Sequence, residues 1–235
     1  MARVLNRQDM EKIAERVYTA YRRLPEASGE MEELRVDAEL LLTKLLGLRI
    51  DYKRLSKDGR TLGVTSHGEA WTEYCFEDTM EICHLDGKTV LIETRLRDDP
   101  LGRLSFILAH EGAHHILRML YPRDYGCGMR AHEVLRFRTS REPYEPQDDE
   151  EMQANWLASA LLMPQELVRQ NMKREGLTKP VELLNPIWRP EEFAKFDRMT
   201  RNMHVSRKTL AYRMKRLGLV YRVQLDDPND LSRFL

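Results

Sequence analysis

His110-Glu111-Gly112-Ala113-His114 puts two imidazoles four residues apart, with a carboxylate beside the first. In a helix, residues four apart stand one turn apart on one face, so both rings can converge on a single ion. Glu111 points about 100° round the same helix, where it can reach a water on that ion without ligating it. Zinc lowers the pKa of such a water toward ~7, and a neighbouring carboxylate can take its proton during attack on a carbonyl. The chemistry expected of this pattern is metal-assisted hydrolysis. It needs a third ligand, and Glu151 supplies a candidate, with Asn155 four residues on along the same helical face. Two imidazoles and a carboxylate leave a fourth position open, as catalytic zinc requires. Asn155 could then hydrogen-bond the second nitrogen of a ligating histidine. The alternative is that Glu150 and Glu151 are only the acidic residues common in a helix's first turn. Zinc is the expected metal, although other divalent ions also suit this donor set.

These residues must be held by helices. The motif lies within LGRLSFILAHEGAHHILRML, a helix predicted to open at Pro100 and stop before Pro122. The second helix resumes near Asp148 as DDEEMQANWLASALLM; Pro164 ends it and starts QELVRQNMKREG. Upstream, Met10, Ile13, Ala14, Val17 and Tyr21 mark a helix with Asn6 as N-cap. A further helix is expected from Met31 to Leu46, with Leu34, Asp37, Leu41 and Leu45 on one face and Gly47 closing it. Alternating runs at Trp71 to Phe76, Met80 to His84 and Thr89 to Thr94 read as strands. The Asp86-Gly87 pair predicts a hairpin between the last two. Residues 122–147, rich in Pro and Gly, read as mostly irregular, the kind of long loop that often covers a site. Pro180, Pro186 and Pro190 punctuate a linker. Glu191 to Leu219 then reads as helix, tight turn, helix, with Ser206 capping the second helix and Gly218 ending it. The expected class is α+β, divided into a domain at 1–180 and a helical module at 181–235.

Secondary candidates flank the motif. His132 and Tyr125 lie in the stretch that could cover the site, and either could donate to a developing oxyanion. His115 points away from the ligands and is expected at the surface or behind them. His67, His84 and His204 have no partner at ligand spacing and read as structural. Cys75, Cys83 and Cys127 are odd in number and widely spaced, a poor disulfide framework, and Cys127 reads as a free, partly buried thiol. The charged N-terminus has no apolar core of a secretory signal. The most apolar stretch, Trp156 to Met163, falls far short of the roughly 20 residues a membrane span needs. A cytoplasmic protein without membrane contact is therefore expected. Lys plus Arg equals Asp plus Glu at 38 each, which argues against general polyanion binding but permits a local basic patch.

Two runs bring a family into view: F-I-L-A-H-E-G-A-H-H from Phe106 and E-x-x-A-N-x-x-A-S-x-L-L-M-P from Glu151. Together they resemble the ImmA/IrrE metallo-endopeptidases, which are gluzincin-like. The N-terminal helices, the strands before the motif and V-S-x-x-x-L-x-x-R-M-x-x-L-G-L from Val205 fall in the family's order. The resemblance implies a zincin-like core and a C-terminal helix-turn-helix-like module. It places metal ligation on His110, His114 and Glu151 and catalysis on Glu111. It also implies a regulatory protein substrate, such as a helix-turn-helix repressor cut to release transcription. Gly112 departs from the larger residue many members carry there, and costs the helix ~1 kcal/mol relative to Ala. The insert between His115 and Asp148 is also long. The C-terminal segment is locally basic through Lys195, Arg198, Arg201, Arg207, Lys208, Arg213, Lys215 and Arg216, against Asp197. It could meet a DNA groove, or it could pack its Leu210, Met214 and Leu217 stripe on the core and leave its charges in water.

Overall fold

A computed structural model describes residues 5–27, 34–77, 79–98, 102–125, 134–138 and 149–225, with the backbone alone for 134–138. Helix α1 (Arg7–Tyr21) buries Met10, Ile13, Ala14 and Tyr21 along the predicted stripe, and Tyr18 with them. Asn6 accepts from the Asp9 amide while Asp9 accepts from that of Asn6, so two orphan donors are satisfied reciprocally. Helix α2 (Ala38–Leu40) starts later than its apolar pattern suggests and passes into a π-helical turn (Leu41–Leu45). Asp37 does not lie on its face. Its carboxylate accepts from the Glu39 and Leu40 amides, and a side chain bonding to backbone in this way fixes where a helix begins. Gly47, at φ +66°, ends the turn as expected.

Strands β1 (Arg49–Lys53), β2 (Thr61–Ser66), β3 (Glu69–Phe76), β4 (Thr79–Asp86) and β5 (Thr89–Glu93) follow. After them come α3 (Arg103–Leu120), α4 (Pro122–Tyr125), β6 (Val134–Arg138), α5 (Asp149–Leu162) and α6 (Gln165–Arg174). The chain continues through β7 (Val181–Leu184), α7 (Pro190–Met203), α8 (Arg207–Arg216) and β8 (Val220–Val223). The motif helix and its acidic partner α5 thus form where the periodicity placed them; Pro100 itself lies outside the described residues. Five strands were not foreseen: β1 and β2 precede the predicted runs, β6 lies in the stretch read as irregular, β7 in the linker, and β8 beyond Leu219.

The main sheet has the order β1-β5-β2-β6, with β1 and β5 parallel and the other neighbours antiparallel. The predicted β4–β5 hairpin is absent. β4 pairs with β3, Trp71 opposite His84, as a separate two-stranded ribbon whose turn passes through Glu77 at φ 51°. Burial explains the difference. Val90, Leu91, Ile92 and Glu93 are all buried, so β5 is covered on both faces and takes the central position. β4 exposes most of its residues. Gly87, at φ +72°, swings the chain from ribbon to sheet so close to Gly68 that a Cβ would sit 2.9 Å from its Cα.

Helix α5 packs between α3 and α1, and one buried cluster runs from Leu5 and Met10 through Leu108 and Leu157 to Leu210, Met214 and Val220. The C-terminal pair α7 and α8 therefore shares the core, its Leu210 and Met214 stripe turned inward as the packing alternative required. Ser206 caps α8 by accepting from the Thr209 amide, and Gly218 closes it at φ +66°. β7 and β8 pair in parallel beneath this unit. No helix among the described residues is long and apolar enough to cross a membrane. Cys75 and Cys83 are free thiols, and Cys127 lies outside the described residues.

Arg213 is not the surface cation its spacing suggested. It is 2% exposed; its Nε donates to the Met163 carbonyl at 2.8 Å and its guanidinium grips both Glu11 oxygens. Arg198 pairs with Glu175, while Arg201 and Arg207 share Asp197. Breaking a buried pair leaves uncompensated partners. Arg213→Ala is therefore expected to cost about 2–3 kcal/mol of unfolding free energy in denaturant titrations. A loss below about 0.5 kcal/mol, the range of neutral surface changes, would show the tether to be dispensable.

Candidate metal centre

Helix α3 carries His110, Glu111 and His114 on its buried face, and the first turn of α5 carries Glu150 and Glu151. Gln153 fixes how α5 enters the site. Its Nε2 donates to the Asp149 carbonyl, while its Oε1 accepts from the Leu5 amide at 2.8 Å and the Tyr125 hydroxyl at 2.6 Å. The start of α5 is thereby clamped to both the N-terminal segment and α4.

His110 Nε2, His114 Nε2 and the two oxygens of Glu151 form a tight triangle. The two nitrogens are 3.1 Å apart, His110 is 3.1 Å from Oε2 and His114 is 3.2 Å from Oε1. Ligands about 2.0–2.1 Å from a tetrahedral zinc stand ~3.3 Å from one another. The three side chains fit that spacing, and the group can hold a metal ion. The expected third ligand therefore meets the two histidines.

Glu150 does something the sequence reading missed. Only 8% exposed, it places Oε1 3.3 Å from His114 Nδ1 and 3.1 Å from His67 Nε2. A carboxylate on Nδ1 fixes the tautomer that leaves Nε2 as an electron-pair donor toward the triangle. His67, buried just past the end of β2, holds that carboxylate from behind. The signal was weak, because two adjacent glutamates at a helix start are ordinary and His67 is remote in sequence. Asn155 acts at the other ring, where its side chain favours the charged form of His110.

The electrostatics of His114, Glu150 and Glu151 favour a cation. Burial would lower the pKa of His114, yet its bonds to Glu150 and Glu151 override that and raise it to about 10. His110 remains below the usual imidazole range because burial outweighs its bond to Glu151. Burial pushes both Glu150 and Glu151 upward, but the histidine bonds reverse the shift, Glu150 falling to about 2 and Glu151 lower than usual as well. The field that draws a proton to His114 would equally draw a divalent ion.

Glu111 is fully buried, and neither carboxylate oxygen has a hydrogen-bond partner among the described residues. Burial raises its pKa to about 8, with Glu151 adding to the rise and His114 opposing it. Its slot exists because β2 has a glycine there: a Cβ on Gly63 would lie 2.3 Å from Glu111 Oε1. Gly112 has a related reason, since a Cβ there would come within 2.9 Å of Leu42 on the π-helical turn.

The remaining candidates separate. His115 is half-buried behind the ligands, its Nε2 2.7 Å from the Thr65 hydroxyl, and burial lowers its pKa to about 3. Tyr125 is buried and donates its hydroxyl proton to Gln153, so that proton is committed to the core rather than to an oxyanion. His132 lies outside the described residues. His84 packs at a tilt against Trp71, and His204 forms the α7–α8 turn at φ 52°, next to Arg35. No family model matches the chain, and no curated protein is significantly similar to it. The ImmA/IrrE resemblance therefore rests on the two motifs themselves.

Carboxylates that orient ligating histidines typically account for 10- to 100-fold in metal affinity. Chelator competition on Glu150→Gln should show a loss of about that size, whereas His114→Ala should lose the ion altogether. Unchanged affinity in Glu150→Gln would rule out the orienting role.

Proposed function

We propose that the chain is a zinc-dependent endopeptidase with a zincin-like core, in which His110, His114 and Glu151 are the ligands and Glu111 is the general base. The observation that carries this reading is the convergence of three ligand groups beside a buried carboxylate on the same helix, with only a glycine opposite it. When bound, a divalent ion supplies Lewis acidity, acidifying a water and polarising a peptide carbonyl. Proton handling falls to the chain's own residues. Glu111 takes a proton from the attacking water as the new bond to the carbonyl carbon forms, and passes it to the amide nitrogen as the C–N bond breaks. Glu150, through Nδ1 of His114, keeps that ring turned toward the ion.

The substrate class we infer is a regulatory protein such as a helix-turn-helix transcriptional repressor, so that cleavage acts against repression in the cytoplasm. Its support is the resemblance of the two motifs to the ImmA/IrrE peptidases. A second reading, a non-proteolytic regulator that binds DNA or protein through a helix-turn-helix-like module, draws on Lys208, Tyr212 and Lys215, exposed on one face of α8. It predicts DNA retention that falls steeply with salt and survives loss of Glu111. It gives no task to the buried carboxylate of Glu111, which on that reading would only destabilise the fold.

The deciding comparison is Glu111→Gln against the parent, both loaded with zinc and given an unfolded protein substrate. Removing a general base should slow hydrolysis at least about 100-fold while zinc content stays the same. Gly63→Ala, whose methyl would enter the Glu111 slot, should likewise keep zinc and lose rate. Cleavage by Glu111→Gln at the parent's rate would end the mechanism.

A further inference from the structure

Strand β2 lies along the motif helix. Gly63 faces the carboxylate of Glu111, Thr65 bonds to His115, and His67 just beyond the strand reaches Glu150. A peptide strand bonded to β2 would therefore run past the catalytic groups with its backbone ordered, as peptides do when they extend a sheet edge. Neither edge of β2 is open. One is occupied by β5, the central strand. The other is occupied over its full length by β6, antiparallel, with Ser66 opposite Val134, Val64 opposite Arg136 and Gly63 opposite Phe137. β5 is built into the core, with Val90 and Ile92 fully buried and β1 on its far side. β6 is five residues long, comes from the long insert between α4 and α5, and pairs with β2 alone among the described strands.

We propose that β6 is the chain's own stand-in for substrate: the β2 edge over Glu111 docks an extended peptide antiparallel to β2, and β6 must leave it first. This rests on the peptidase reading of the same site. β6 then has a task, which is to keep the β2 edge closed until a substrate strand displaces it. A strand tethered in cis competes at high effective concentration, so apparent affinity for peptide falls with the fraction of molecules whose edge is open.

The test weakens β6 and reads two quantities. Successive amides of a strand point to opposite sides, so prolines at adjacent positions remove one donor toward β2 whatever the pleat. Arg136→Pro with Phe137→Pro is made in the full chain, with metal content and circular dichroism checking the fold. The first readout uses a fluorescent peptide of residues 133–139 and the Glu111→Gln background, so that nothing is cut. The proline form should bind it at least about tenfold more tightly than the chain with native β6. Equal binding, or none, overturns the proposal. The second readout is hydrolysis of unstructured peptides with Glu111 intact, where the proline form should be faster. A slower rate with zinc retained also overturns it, because β6 would then be the docking edge itself. Tighter peptide binding with no hydrolysis by any form leaves the strand proposal standing and removes the peptidase reading.

Should the prolines prevent folding, Ser66→Cys with Val134→Cys, partners in register, can lock β6 in place. The oxidised form should bind the peptide at least about tenfold more weakly than the reduced form. Identical binding by the two forms refutes the proposal.

Discussion

Three carboxylates and two imidazoles sit together in the interior between α3 and α5, and the rest of the molecule is arranged around that fact. Glu111, His110 and His114 are at most 1% exposed, and Glu150 is 8% exposed. An isolated ionised carboxylate in such a place is severely penalised unless it is paired. Here the pairing is mutual, Glu151 to both ligating rings and Glu150 to His114 and His67. With both rings neutral, as ligation requires, Glu150 and Glu151 leave an excess of negative charge at the triangle. A divalent cation at the triangle offsets most of it. Stability and metal affinity are on this view one electrostatic problem, and the apolar shell of Leu108, Ala113, Leu157 and Ala158 sharpens it by keeping the dielectric low.

That shell also explains the small residues around the site. Ala109 and Ala113 on α3, with Ala154 and Ala158 on α5, are fully buried. They let the two helices approach closely enough for first-turn carboxylates on one to meet imidazoles on the other. Gly63 does the same for β2 and Gly112 for the π-helical turn. At Gly63 an added side chain would displace the Glu111 carboxylate, whereas at Gly112 it would crowd Leu42 in the core.

What could be read from the sequence was local. Two histidines one turn apart, an acidic helix start, an Asn6 cap and a Ser206 cap are each fixed by residues within about one turn of each other, and all of them formed. What could not be read depended on partners far along the chain. Asp86-Gly87 has the composition of a hairpin tip, but the burial of β5 on both faces assigns it to β1 and β2. Asp37 reads as part of a helix face until its carboxylate is seen to close the amides of Glu39 and Leu40. Glu150 looks like a solvated first-turn acid because His67, which holds it, lies at the end of a strand that periodicity alone did not mark. β6 carries no turn signal tying it to β2, and its register is set by the strand it joins.

Arg213 shows the same lesson acting on charge. Counted along the chain it belongs to a basic helix; in space it joins α8 to Glu11 on α1 and to the Met163 carbonyl just past the end of α5. Helix α5 is therefore held at both ends by polar contacts from outside it, Gln153 binding the Leu5 amide and Tyr125 at its start and Arg213 at its finish. Glu151 stands on the first turn of that helix, and a metal site tolerates little positional error in its ligands. The C-terminal pair thus helps to set the position of a candidate ligand it never touches, and Lys208 and Lys215, left exposed on its outer face, are separate from the cation that does this work.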